Sequence, residues 1–104
     1  MIKVEIIRNN NNIKKISILG HAMYDEYGKD IVCASVSTLV ISTVNNILSI
    51  NSNTIKVEQS DSKIIIEYIL KDNIIDILIN NMISNLNTLA NNYPKNIKII
   101  DKEE

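Results

Sequence analysis

The chain contains no tryptophan and no phenylalanine, and only one cysteine, one histidine, one proline and two glycines. With four tyrosines as its sole aromatic residues, its core must be aliphatic, and isoleucine is the residue available to fill it. A single thiol excludes an intrachain disulfide and suits a reducing compartment. Neither sign of charge is in excess: 11 basic and 12 acidic residues leave a formal net charge of −1. Such a balance offers no field to hold phosphate backbones by counterion release, so direct nucleic-acid binding is not expected. No glycine-rich phosphate loop or other cofactor motif is present. The first ten residues interleave Lys3, Glu5 and Arg8 with apolar positions, which is not the apolar run of a secretory signal. The expected location is the cytoplasm, with no membrane contact.

What the chain does have is ordinary in proportion. Its 104 residues are 45% hydrophobic and 22% charged, values that suit one globular domain over residues 1–104. A chain of this length buries about two thirds of its unfolded surface, enough for a core without metal or disulfide staples. Ile2 to Ile6 alternates with the period of a half-buried strand. Asn9 to Asn12 reads as a turn, and Ile13 to Leu19 as the returning strand of a hairpin. A polar loop from Gly20 to Lys29 follows. Asp30 is placed to cap a helix running to about Ser49. No charge occurs between Asp30 and Lys56, and the apolar residues of this helix spread over several faces: Val32, Val36 and Leu39, then Val40, Val44 and Ile47, then Ile41 and Leu48. A helix apolar nearly all round is normally enclosed, here between the sheet and a second helix or a partner subunit.

Two further strands are expected over Thr54 to Glu58 and Lys63 to Leu70. A second helix follows from Ile74 to Tyr93, with an apolar stripe of Ile75, Ile79, Met82, Leu86, Leu89 and Tyr93. Pro94 stops it. Ile97 to Ile100 is a last short strand, and the acidic tail Asp101 to Glu104 is expected to fray. The order β-β-α-β-β-α-β predicts an α+β fold with two helices packed on a mainly antiparallel sheet.

One segment gathers the scarce residue types. Gly20-His21-Ala22 is followed by Gly28-Lys29-Asp30-Ile31-Val32-Cys33-Ala34 and then Ser37. His21 follows a strand end, and Cys33 falls in the first turn of the helix capped by Asp30. Amides of a first turn have no intrahelical acceptor, and the helix dipole is positive there. Both effects favour a thiolate. A histidine on the facing strand end can act as its base. The amides of Cys33 and Ala34 are candidates for stabilising an oxyanion. Ser37 lies one turn beyond Cys33 on the same face. Asp30 has two readings, as a cap whose carboxylate occupies first-turn amides or as a group that orients His21.

Structural readings stand beside each of these. A free cysteine is often a small core residue, His21 can be a solvated surface histidine, and Gly20 and Gly28 can serve only to permit positive φ. A zinc site is disfavoured, because it wants about three or four protein ligands and only His21, Cys33 and the carboxylates Asp25, Glu26 and Asp30 are at hand. The tyrosines do not alternate with basic residues as a base-stacking platform would.

The pattern Gly20-His21-Ala22, a short loop, then Gly28-Lys29-Asp30-Ile31-Val32-Cys33-Ala34-Ser35-Val36-Ser37 resembles the ribosomal-processing cysteine protease family, Prp. The likeness extends to the ending Tyr93-Pro94-Lys95 and Ile97 to Asp101. Ser35 and Met23 stand where the family commonly has smaller residues. The resemblance implies an endopeptidase with Cys33 as nucleophile and His21 as base, supported by Asp30 and Ser37. It implies a substrate, the precursor of large-subunit ribosomal protein 27 with its short N-terminal extension, and a homodimer. It also implies that the loop from Ala22 to Lys29, with Met23, Tyr24 and Tyr27, covers bound substrate. Two rivals remain at this point: another thiol acyl-transfer hydrolase, and a non-catalytic ribosome-associated binding module with Cys33 buried.

Overall fold

The structure, a computed structural model, describes residues 1–20 and 31–104. The element order is the expected one: β1 (Ile2–Asn9), β2 (Asn12–Leu19), α1 (Ile31–Ile50), β3 (Ile55–Gln59), β4 (Lys63–Tyr68), α2 (Asn73–Asn92) and β5 (Ile97–Glu103). The strands form one sheet in the order β3-β4-β2-β1-β5. Three of its four pairings are antiparallel, and β1–β5 is parallel.

The β1–β2 hairpin closes through Asn10 (φ 52°) and Asn11 (φ 66°). Two consecutive positive φ values make the tight turn whose twist matches that of the strands, and asparagine tolerates them better than most side chains. The register slips near Ile7 and Arg8, which pair with Lys15 and Ile13, so Lys14 is the extra residue of a bulge. Alternation then sorts the faces. Ile2, Val4, Ile6, Ile16, Ile18, Ile64 and Ile66 are buried on one side of the sheet, and both helices cover that side.

α2 starts as capping rules dictate. The Asp72 carboxylate accepts hydrogen bonds from the amides of Ile74 (2.8 Å) and Ile75 (3.2 Å), and Asp76 adds an acidic group in the first turn, where the dipole favours it. Ile75, Ile79, Met82, Ile83 and Leu86 form its buried stripe. Leu89 is only partly buried, and Tyr93, the C-cap, is 36% exposed.

One expectation needs correction. The acidic tail does not fray: β5 continues through Asp101 to Glu103 in parallel register with β1. Asp101 takes a two-pronged hydrogen bond from the Arg8 guanidinium (2.8 and 3.1 Å), and the Glu103 carboxylate accepts from the Asn11 amide (2.8 Å). Ion pairing and ladder bonds thus hold charged residues that local sequence reads as a loose end. Within the single chain, α1 is buried along one side. Val32, Cys33, Val36, Val40, Thr43, Val44 and Ile47 are buried, while Ala34, Ser35, Thr38, Ser42, Asn45 and Asn46 are exposed. Its hydroxyls bond back to the helix, as in Ser35 to the Ile31 carbonyl (2.7 Å) and Thr43 to the Leu39 carbonyl (2.8 Å). The outer face is uncharged and mixes these small polar residues with exposed Ile31, Leu48 and Ile50.

Candidate active site

Topology fixes where the chemistry-bearing segment lies. β4 is antiparallel to both β2 and β3, so β2 and β3 run the same way. α1 joins the end of β2 to the start of β3 and must run back along the sheet. Its first turn therefore lies at the end where β2 finishes at Leu19 and Gly20. By the same logic α2 delivers its C-terminus, with Tyr93, to that end before β5 begins beside Ile2.

Gly20 anchors this corner. Its amide donates to the Ser62 carbonyl (3.0 Å) in the turn between β3 and β4. Its φ is +74°, and a Cβ placed there would lie 2.7 Å from the Met1 carbonyl oxygen. Glycine is required twice over, by conformation and by the close approach of backbone. The chain then leaves the described residues at position 21 and returns at Ile31.

Cys33 is the third residue of α1 and is buried, with 4% of its surface exposed. Ala34 beside it is exposed, and Ser37, one helical turn on, is half-buried. The structure thus puts Cys33, Ala34 and Ser37 on the first two turns of α1, at the same end of the sheet as Gly20. The remaining predicted site residues, His21, Met23, Tyr24, Tyr27, Gly28 and Asp30, lie outside the described residues, as does the covering loop.

The sequence profile of the family described as cysteine protease Prp matches residues 1–98. The chain belongs to that family. It is similar to the ribosomal processing cysteine protease Prp of Staphylococcus aureus strain Mu50, 28% identical over 103 residues, with 95% of this chain and 97% of that protein covered. Crystal structures of Prp from S. aureus share its fold. One, in complex with a covalently linked product peptide, has a TM-score of 0.88 at 28% identity, covering 98% of this chain and 100% of that one. A second, in complex with a substrate peptide, has a TM-score of 0.85 at 27% identity over the same shares. As a Prp-family member the chain is a cysteine protease, with the five-stranded mixed sheet and two helices of those structures.

A second cluster of polar groups was not singled out by sequence. It lies at the far end of β2, roughly 23 Å from Gly20 for seven strand steps, and lines a cavity of about 190 Å³. Tyr68 is its hub. The phenol accepts from the Asp72 amide (2.9 Å) and donates to Asp76 (2.7 Å). Lys71 pairs with the other Asp76 oxygen. Burial, with the neighbouring Asp76 carboxylate, pushes the Tyr68 phenol up to about 12. The Lys71 ammonium and the Tyr68 hydroxyl hold Asp76 below the usual carboxylate range. The spacing Tyr68, Asp72, Asp76 was the available signal, but it reads as helical periodicity across a strand–helix junction. These bonds join the end of β4 to the first turn of α2, a structural role remote from Cys33.

Proposed function

We propose that this chain is an endopeptidase that removes the short N-terminal extension of large-subunit ribosomal protein 27 during ribosome assembly, using a Cys33/His21 dyad. The observation that supports the reading most is the position of Cys33 in the first turn of α1, at the end of the sheet where β2 hands the chain to His21. The name of the S. aureus relative, a ribosomal processing protease, supports the substrate class.

In this mechanism His21 takes the proton of Cys33, and Sγ attacks the scissile carbonyl carbon. The oxyanion that forms is met by the amides of Cys33 and Ala34 at the positive end of the helix. The carbon–nitrogen bond then breaks, and His21 gives its proton to the leaving amine. Water, deprotonated by the same imidazole, attacks the thioester and releases the second product with the thiol restored. Asp30 and Ser37 support the dyad, and Met23, Tyr24 and Tyr27 cover the bound extension. The covalently linked product peptide in the S. aureus crystal structure is in keeping with an acyl-enzyme route. We place the reaction in the cytoplasm, where ribosomes assemble. The working unit in this reading is a homodimer, and the uncharged outer face of α1 is suited to pack against a second copy.

The test is cleavage of a peptide spanning the extension. The wild-type protein cuts it once, and Cys33→Ala and His21→Ala each lose the activity. Cleavage by Cys33→Ala at the wild-type rate would refute the assignment. The deep burial of Cys33 favours one competing reading, a purely structural thiol. Alkylation by iodoacetamide separates the two. An activated nucleophile reacts in the native state near neutral pH, whereas a core thiol reacts only on unfolding.

A further inference from the structure

The whole-chain charge balance conceals a strong segregation, which becomes visible once strand register is known. The face of the sheet turned away from the helices is built from three cross-strand rows. The row nearest Gly20 runs Lys98, Lys3, Leu19, Lys63 across β5, β1, β2 and β4. The middle row is Ile100, Glu5, Ser17, Ile65, Glu58. The third is Lys102, Ile7, Lys15, Glu67, Lys56. On these three rows six lysines thus face three glutamates, a surplus of three positive charges in a chain whose net charge is −1, with Glu104 beside Lys15 and Glu67 at the end of the third row.

Two of those glutamates are already committed. Glu5 pairs with Lys102 (3.1 Å) and Glu58 with Lys63 (3.8 Å). Among the described residues, no ion pair is made by Lys3, Lys15, Lys56 or Lys98. The first row carries three lysines and no acid, and directly opposed like charges are unfavourable in a sheet. Lys3 stands directly beside Lys98 in the parallel register. Neither helix covers this face, so nothing in the fold requires the lysines there.

We propose that this helix-free face docks the phosphate backbone of double-helical RNA, with Lys98, Lys3 and Lys63 as the leading row. Lysine ammoniums at alternate positions of neighbouring strands make an array of point charges, which suits a phosphate backbone. No aromatic side chain lies on the three rows, so the face has no platform for stacking unpaired bases. It reads charge and not sequence. The lysine row sits at the same end of the sheet as the first turn of α1, so a docked duplex holds the enzyme beside its substrate. The choice of RNA among polyanions rests on the ribosomal reading above; the charge geometry does not.

The experiment titrates a fluorescein-labelled RNA duplex of about 20 base pairs with the full chain and follows anisotropy between about 50 and 200 mM salt. Wild-type protein binds, and its affinity falls steeply with salt. The triple variant Lys3→Gln, Lys63→Gln, Lys98→Gln binds at least about tenfold more weakly at the lowest salt, and its slope of log affinity against log salt is shallower by about 3, one per lost contact. Lys71→Gln, on the helix side at the far end, leaves both unchanged. Absence of binding by the wild type at about 50 mM salt, or an unaltered affinity in the triple variant, overturns the proposal. So does equal competition by an acidic polypeptide of matched charge, which would assign the face to a protein partner. Peptide cleavage, measured alongside, is equal in wild type and triple variant. A chain that binds RNA but does not cut the extension peptide refutes the proposed substrate alone, and the converse refutes only this proposal.

Discussion

Replacing Gly20 by alanine tests how the corner before His21 is held. An L-residue at φ +74° carries a left-handed penalty of about 1–2 kcal/mol. The new Cβ would also stand 2.7 Å from the Met1 carbonyl oxygen, closer than such atoms tolerate. Relief requires Met1 to move, which strains the adjacent hydrogen bond from the Ile2 amide to the Asn96 carbonyl (2.8 Å). Losing that bond costs about 1 kcal/mol. The expected total is about 2–3 kcal/mol, read as a lower midpoint in urea with an unchanged m-value. Each kcal/mol corresponds to about 4 °C or more in Tm for a chain of this size, so the melting point drops by at least about 8 °C. Gly20→Asn separates the contributions, because asparagine enters the left-handed region readily yet keeps the Cβ clash. It should fall between wild type and alanine. Cleavage should also drop in Gly20→Ala under conditions where the variant remains folded, since the corner positions the residue that follows. An alanine variant within about 0.5 kcal/mol of wild type would refute the reasoning, because surface changes without such constraints fall in that range.

The remaining expectations are simpler. Leu86→Ala removes a fully buried side chain from the α2 stripe and should cost about 2–5 kcal/mol in chemical denaturation. Asp72→Ala leaves the Ile74 and Ile75 amides without their cap and should cost about 1 kcal/mol, with fraying of α2 visible as faster amide exchange in its first turn. Tyr68 ionises near 10 when unfolded but only near 12 when folded. The folded state therefore holds the proton longer, and stability declines as pH rises through that interval. Tyr68→Phe should flatten that alkaline decline; an unchanged slope would show that the phenol does not cause it.

Local chemistry made most of the architecture legible. Ile2 to Ile6 alternates because one side of β1 meets the core, and the asparagine run marks a turn because two left-handed residues are needed there. Pro94 ends α2 where its missing amide requires. The parts that were not legible depend on partners distant in sequence. Asp101 belongs to a strand because Arg8, 93 residues away, holds it. The lysine rows exist only in the register, since Lys98, Lys3 and Lys63 are scattered along the chain. In the candidate site, the placement of Cys33 in a first helical turn followed from Asp30 and the apolar run behind it. Its burial agrees with the reading of a free cysteine as a small core residue, and its depth depends on how tightly α1 seats against an aliphatic core.

The parallel pairing of β1 with β5 has a consequence for biosynthesis. β1 is made well before its neighbour β5, so its open edge must wait while α1, β3, β4 and α2 emerge. Long-range pairing of this kind slows folding, and an unpaired edge invites contact with other chains in the meantime. Nascent chains stalled before Ile97 should be sticky and protease-sensitive, and the emergence of β5 becomes the event that commits the domain to its native form.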